Sequence, residues 1–557
     1  MIRKEVIKQY IASLKEDGEL DYIFPLLLEQ MGYRVLSTPR QSKGMPQYGR
    51  DVVAVKKVKG KDTLFLFELK GFGAKDITDR TLNEKDGLIE SLRASKNTKY
   101  RDASIPGLSK FPRQYVFAHN GYAEANAILT LNDFVAEEFP EGNFDRWDLE
   151  KLTTLFSEHL FDETLLTDEQ SYRLFKKVLV LLDAEGNDFT DLVSLIELQL
   201  SKAEERKIEN KRTILNLFAT LRLIASMVYF YSKEAENLHP AKFCIDTIVL
   251  KTWAWILRGK KEKRPSIIKH FNSLVLLQMQ IYEEYLNKVL RFAELEKGLY
   301  GFVPSDTEYI FYPLRCYDFL GDMVYFFTLT EAYVQIPKKE ERKRMLTLKK
   351  VIKNNSACAV PLLDTHSIPI LMVFRYLFQH ATDEDYQFIG EYLMDTIFNL
   401  TKRYFKQKMW PEMSGRRMAL AKSLYEKSED YCSASSLLIL DIFELIAYMD
   451  TPELYNAFKK VVEESEVNLQ VAYPIKEEFD IEQLLFARRL NDELSVETNI
   501  KLPETVKEFQ KSYKKKYSSI DYRTDKVNYG FLRVLAHKYY ETDFFPDFMG
   551  RAYCEEE

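Results

Sequence analysis

At 557 residues the chain is too long for one ordinary core, so two or more domains are expected. Its five cysteines, Cys244, Cys316, Cys358, Cys432 and Cys554, are odd in number, widely spaced and without a Cys-x-x-Cys pair. This excludes a disulfide scaffold and a cysteine-based zinc site and points to a reduced, cytoplasmic protein. The net charge of −6 argues against nucleic acid only as an average, because residues 1–123 hold 22 Lys plus Arg against 15 Asp plus Glu, and the remainder carries −13. The start, Met-Ile-Arg-Lys-Glu, lacks a signal-peptide core, and the long apolar stretches carry interior charges such as Arg222, Asp441 and Glu444, so no membrane span is expected. No Walker-type glycine-rich loop is present, so bound ATP is not expected either.

In chain order, Leu20 to Met31 reads as a helix ended by Gly32, Tyr33 to Pro39 as a strand, and Arg40 to Tyr48 as a polar loop. Residues 52–58 and 63–69 are filled with β-branched and aromatic side chains, with Lys59-Gly60-Lys61-Asp62 between them as a turn, and so predict a β-hairpin. Whether its loop has two residues (60–61) or four (59–62), paired positions sum to 121. Asp51 is then expected to face Lys70, and Val53 to face Glu68. Because side chains alternate along a strand, Asp51, Glu68 and Lys70 all project from one side. Two carboxylates and a lysine so placed suit a divalent metal and a water molecule held against a phosphodiester.

Two other Glu-x-Lys triplets, Glu205 with Lys207 and Glu341 with Lys343, lie in highly charged runs that read as solvated helix faces. Glu68 and Lys70 instead close the apolar strand Leu64 to Phe67, where a buried charge needs a partner or a metal. The plain structural alternative is a salt bridge from Lys70 to Asp51.

Residues 76–97 carry a helix-like mixture, with Leu82, Leu88, Ile89 and Leu92 as the apolar set. After a Pro- and Gly-containing loop at 104–112, Gln114 to Ala118 reads as a strand that His119 closes as a structural residue. With the motifs Tyr48-Gly-Arg-Asp51-Val-Val53 and Phe65-Leu-Phe-Glu68-Leu-Lys70-Gly71, this stretch resembles the PD-(D/E)XK nuclease superfamily, nearest to its Mrr-like restriction-endonuclease branch. Phe144 to Leu152 is similar to the strand and helix that often close Mrr-like modules, with Asp148 as the cap of that helix. The resemblance covers about the first 160 residues, and Arg50 stands where the proline of the family name would be.

It implies a restriction-endonuclease-like α/β domain with an αβββαβ core over residues 1–165, acting as a magnesium-dependent endonuclease on DNA. By the same resemblance Asp51, Glu68 and the Leu69 carbonyl would bind Mg²⁺, with Mn²⁺ as a substitute. Glu29 is a further acidic candidate, and Lys70 would orient the attacking water and offset charge on the phosphate. Mg²⁺ is favoured over zinc because the donors are hard oxygens, and neither His nor Cys clusters nearby. Lys56, Lys57, Lys59 and Lys61 at the hairpin tip, with Lys96, Lys99, Arg101, Lys110 and Arg113, offer contacts to phosphates.

From about residue 166 the periodicity turns helical, with helices expected at 168–184, 188–231, 241–258, 266–296, 308–335, 340–353, 383–408 and 434–449. Residues 166–557 thus read as a large all-α region for sensing, scaffolding, partner binding or oligomerisation, in one or two subdomains, with no fixed-period repeat. The basic run Arg258 to Arg264 after Trp253 and Trp255 invites a stacking role, but a basic connector after a buried helix is the commoner arrangement. Nucleases joined to large non-catalytic modules resemble bacterial anti-phage defence effectors. The alternatives are an RNA-cleaving nuclease and a non-catalytic helical scaffold that carries a degenerate nuclease fold.

Overall fold

The computed structural model describes residues 2–39, 49–71, 77–84, 87–102, 105–162, 165–184, 189–205, 211–301, 307–415, 417, 420, 431–474, 480–487, 494–517 and 522–542. The polar loop Arg40 to Tyr48 and Cys554 lie outside them. Contacts divide the chain into two compact units, Met1–Ile248 and Val249–Glu557.

The first unit opens with α1 (Ile2–Ser13), a π-helical turn (Glu16–Leu20) and α2 (Asp21–Gln30). Next come β1 (Arg34–Ser37), β2 (Val52–Val58), β3 (Lys61–Lys70), α3 (Asp79–Asn83) and α4 (Leu88–Asn97). The sheet is completed by β4 (Arg113–His119), α5 (Ala125–Glu138), β5 (Phe144–Trp147) and α6 (Leu149–His159). The five strands form one mixed sheet in the order β1-β2-β3-β4-β5. β1, β2 and β3 run antiparallel to their neighbours, whereas β3, β4 and β5 run parallel. The helix expected across 76–97 is two helices, because Gly87 leaves the helical path and caps α4. Asp148 caps α6 as expected, accepting from Lys151 N–H at 3.0 Å.

The register of the hairpin differs from the expectation. Val52 pairs Phe67 and Val58 pairs Lys61, so partners sum to 119, not 121. The turn is Lys59-Gly60, with φ of 50° and 81°. Two left-handed residues make the tight turn whose twist matches the strands, and this brings Lys61 and Asp62 into β3. Extending the ladder by one residue sets Asp51 opposite Glu68 instead of Lys70, and its N–H donates to the Phe67 carbonyl at 2.9 Å. A shift by an even number leaves the faces unchanged, so the three polar groups still share one side.

β3 is buried from Thr63 to Leu69 because both faces of the sheet are covered. One face carries Val53, Leu64, Leu66, Tyr115 and Phe117, packed against Leu82 of α3, Leu88 and Leu92 of α4, and Leu131 and Phe134 of α5. On the other face Phe67 meets Phe24 and Trp147 at ring distances of 5.3 and 5.4 Å, and Tyr33 meets Phe65 at 5.0 Å. Each such side chain contributes about 1.5–3 kcal/mol by leaving water. The odd positions of β2 and even positions of β3, and with them Asp51, Glu68 and Lys70, belong to the α3–α5 face.

Helices α7 (Glu169–Val180), α8 (Thr190–Glu205) and α9 (Lys211–Glu234) belong to this same unit, and α1 packs between α6 and α9. One stretch of α9, Thr213–Glu234, is long and apolar enough to cross a membrane by length and composition, and 67 % of its most apolar 18-residue window is buried in the protein, as in a core helix. Arg222, within it, donates to Gln9 Oε1 of α1 at 2.6 Å.

The second unit is mostly helical, including α11 (Pro265–Ala293), α12 (Glu308–Tyr333), α13 (Lys338–Asn354), α14 (Ser367–His380) and α15 (Tyr386–Gln407), α10 (His239–Arg258) leading into it. Helices Pro452–Glu464, Val506–Tyr517 and α14 add to the spans named from the sequence. The region also holds two two-stranded pairings, Ser435–Ser436 with Asn468–Leu469 and Val471–Pro474 with Leu494–Glu497, so it is not purely α. Trp253 is fully buried against Phe271 and Tyr529, and Trp255 is 2 % exposed, so neither offers a ring to a base.

Because α9 covers a flank of α1, residues 1–248 made alone are expected to melt as a cooperative unit. A fragment of residues 1–165 uncovers that flank and is expected to melt at lower temperature and with a broader transition, as followed by circular dichroism.

Candidate active site

Three segments meet at the C-terminal end of β3. The end of the strand places Glu68 and Lys70 on one face, two residues apart, and the ladder brings Asp51 opposite Glu68. Leu69 N–H donates to Asp51 Oδ2 at 2.7 Å, which locks the aspartate to the neighbouring strand. Lys70 Nζ lies 3.2 Å from Glu68 Oε1 and 3.2 Å from Glu16 Oε1. Glu68 is 3 % exposed, and its Oε1 also accepts from Ser91 Oγ of α4 at 2.7 Å. Its second oxygen, Oε2, is buried and accepts no hydrogen bond. The structure thus brings Asp51, Glu68 and Lys70 together, whereas Glu29 is exposed near the end of α2.

Sequence reading missed Glu16, Ser91 and the two glycines that admit them. Gly71 N–H donates to Glu16 Oε2 at 3.2 Å, and a Cβ at Gly71 would lie 2.1 Å from Glu16 N. Only glycine lets the 16–20 turn close on the end of β3. The turn itself is anchored from behind. Asn120, fully buried just after β4, donates to the Ile11 and Leu14 carbonyls at 2.7 and 2.8 Å, satisfying the end of α1. A glycine directly after Glu-x-Lys was the one local sign that another segment approaches there.

Arg50 is buried, donates to the Thr98 carbonyl at 3.2 Å and lies over the Tyr100 ring, so it ties the entry to β2 to the end of α4. His119, paired with Lys70 across the ladder, stacks on Phe117. Burial pushes its pKa down to about 4, aided by Arg146, which leaves it neutral and structural.

Three carboxylates against one ammonium shape the electrostatics. Burial raises the Asp51 pKa to about 7, with Glu68 adding to it and Lys70 and the Leu69 N–H opposing. For Lys70, burial works against the charge, but Glu68, Glu16 and Asp51 outweigh it and the pKa lies above the ordinary lysine value. The surrounding carboxylates thus favour the charged, hydrogen-bond-donating form of Lys70.

Among the described residues no group of three or more His, Cys, Asp or Glu closes on a common metal position. The donor set at the triad is two carboxylates, one with a bare buried oxygen. This suits Mg²⁺, which commonly takes one or two carboxylates and keeps several waters. The excess negative charge fits a divalent cation in the same way.

No family model, no curated protein and no solved structure matches this chain.

The raised pKa of Asp51 has a consequence for stability. An ordinary aspartate titrates near 3.9, so the folded protein holds this proton more tightly than the unfolded chain and loses stability as pH rises from about 4 through 7. Asp51→Asn is expected to stabilise the metal-free protein at pH 7.5 by roughly 1–2 kcal/mol. Below about pH 4 the gain disappears, and denaturant melts of both proteins across this range measure it.

Proposed function

We propose that this chain is a metal-dependent endonuclease of the PD-(D/E)XK type, hydrolysing phosphodiester bonds of DNA. The observation that carries this reading is the arrangement of Asp51, Glu68 and Lys70 on one face at the strand end, with Glu68 Oε2 buried and bare. An unmatched buried acceptor costs about 1–3 kcal/mol, and a bound cation would supply the missing partner.

Asp51, Glu68 and the Leu69 carbonyl would hold Mg²⁺ or Mn²⁺, which lowers the pKa of water and offsets charge that develops on the phosphate. Leu69 N–H fixes Asp51 through Oδ2, and Ser91 and Lys70 occupy Glu68 Oε1, which leaves Glu68 Oε2 without a partner. Lys70, positively charged and held between Glu68 and Glu16, donates to a phosphate oxygen or to the attacking water. That stabilises charge where it builds up.

A cleft of about 430 Å³ lies along the hairpin, lined by Arg34, Lys56 and Lys57 with Ile105 and Phe111. Lys57 shares its side of β2 with Asp51, and the six residue steps from one to the other span about 20 Å. Nucleic acid held by these cations would therefore extend several nucleotides from the scissile bond. Lys96 contributes less, being bound to Glu138 Oε2 at 3.0 Å. The helical remainder of the chain would then serve sensing, partner docking or oligomerisation, as in a defence effector whose cutting must be restrained.

Purified full-length protein is expected to cut plasmid DNA with Mg²⁺ or Mn²⁺ and not with chelator. Asp51→Ala, Glu68→Ala and Lys70→Ala are each expected to lower the rate at least 100-fold while the circular dichroism spectrum is retained. Cutting by all three variants at the parental rate would dismiss the proposal, and cutting of RNA alone would change its substrate. In Lys70→Ala, adding Arg34→Ala and Lys57→Ala is expected to weaken DNA binding and to reduce the slope of log affinity against log salt by roughly one per lost phosphate contact, measured by fluorescence anisotropy.

A further inference from the structure

Ser91 of α4 touches both β3 and the segment that leads into β2. Leu88 and Leu92 are buried in the core, which turns Ser91 towards the strand ends. Its hydroxyl donates to Glu68 Oε1 at 2.7 Å. Its backbone closes on Gly49, two residues before Asp51: a Cβ there would lie 1.9 Å from the Ser91 carbonyl oxygen and 2.9 Å from Oγ. Gly49 also has φ of 70°, so both space and conformation select glycine.

The terminal torsion of a glutamate is soft, with a broad range of accessible angles. Left alone, the Glu68 carboxylate would swing, and either oxygen could meet Lys70. With Ser91 and Lys70 both on Oε1, one oxygen is saturated and Oε2 stays as the bare buried acceptor. We propose that Ser91 is a positioning residue that fixes the plane of the Glu68 carboxylate and so presents Oε2 to a divalent cation. This rests on the metal-binding reading above. Hydrogen bonds to a ligating carboxylate commonly change metal affinity 10–100-fold when removed.

The test is Mn²⁺ binding by calorimetry to the full chain, without nucleic acid, alongside the melting temperature of each metal-free protein. Ser91→Ala is expected to weaken Mn²⁺ binding about tenfold while its melting temperature stays near the parental value. Ser91→Thr, which keeps the hydroxyl, is expected to bind within about threefold of the parent, and Glu68→Gln to bind far more weakly. Parental affinity in Ser91→Ala beside lost affinity in Glu68→Gln would overturn the role of Ser91 and leave the metal reading standing. A loss in Ser91→Ala matched by a collapse in melting temperature would overturn it as well, by making the serine a packing residue. A parent that binds no Mn²⁺ would remove the metal reading, and the role of Ser91 with it.

Discussion

Like charges gathered at a buried strand end are the constraint on which the rest of the site depends. Asp51, Glu68 and Glu16 share one ammonium, Lys70, and burial makes their mutual repulsion stronger than it would be in water. Each neighbouring device lessens that repulsion or fixes its geometry. Leu69 N–H takes one oxygen of Asp51, Ser91 takes one of Glu68, and Gly71 N–H takes one of Glu16. The glycines at 49 and 71 exist on this view to let backbone approach closely enough for these bonds to form. A stability optimum would have replaced at least one carboxylate with an apolar group, as buried charge clusters seldom repay their desolvation.

The two units differ in where polar groups are spent. In the first, the burial of charge concentrates at the end of β3. In the second, one buried carboxylate is matched by cations: Asp385 is fully buried, with Lys349 Nζ at 2.6 Å and Arg342 beside it, and its pKa is held well below the ordinary range. Although burial opposes ionisation, the hydrogen bonds from Lys349, Thr382 and Arg342 prevail. This pairing joins α13 to the start of α15 and is explained by architecture. The open acceptor at Glu68 has no such explanation.

The hairpin, the flanking strands and the shared face of Asp51, Glu68 and Lys70 were legible because they are set by alternation and by order along the chain. The exact pairing was not. Lys59 entering the left-handed region moved the turn by one residue at its start, and propensity alone does not choose between such turns. Glu16 and Ser91 were invisible for a different reason. They reach the site through contacts 54 and 23 residues apart, and nothing near either marks it as polar machinery instead of an ordinary helix-end or helix-face residue. The interior charge Arg222 marked α9 correctly: apolar enough for a bilayer, the helix is apolar because α1 and its neighbours cover it. Similarly, the tryptophans before the basic run proved to be core, since aromatic content reports burial more often than stacking.

The two-residue turn between β2 and β3 also bears on the order in which the site assembles. A hairpin closed by neighbours in sequence forms in about 1–10 μs, so Asp51 and Glu68 meet early, in water, where two like charges repel only weakly. Their burial waits for distant docking by α4, by the 16–20 turn and by Asn120, whose bond to Ile11 spans 109 residues. The repulsion is therefore felt almost wholly in the last steps of folding, not in the pairing of the strands. By the same logic, the cheapest way to relieve it in the finished protein is to lift one docked segment from the strand ends while the sheet stays closed. The site's kinetic weak point is thus its rim, and whatever settles there governs how long the carboxylates remain out of water.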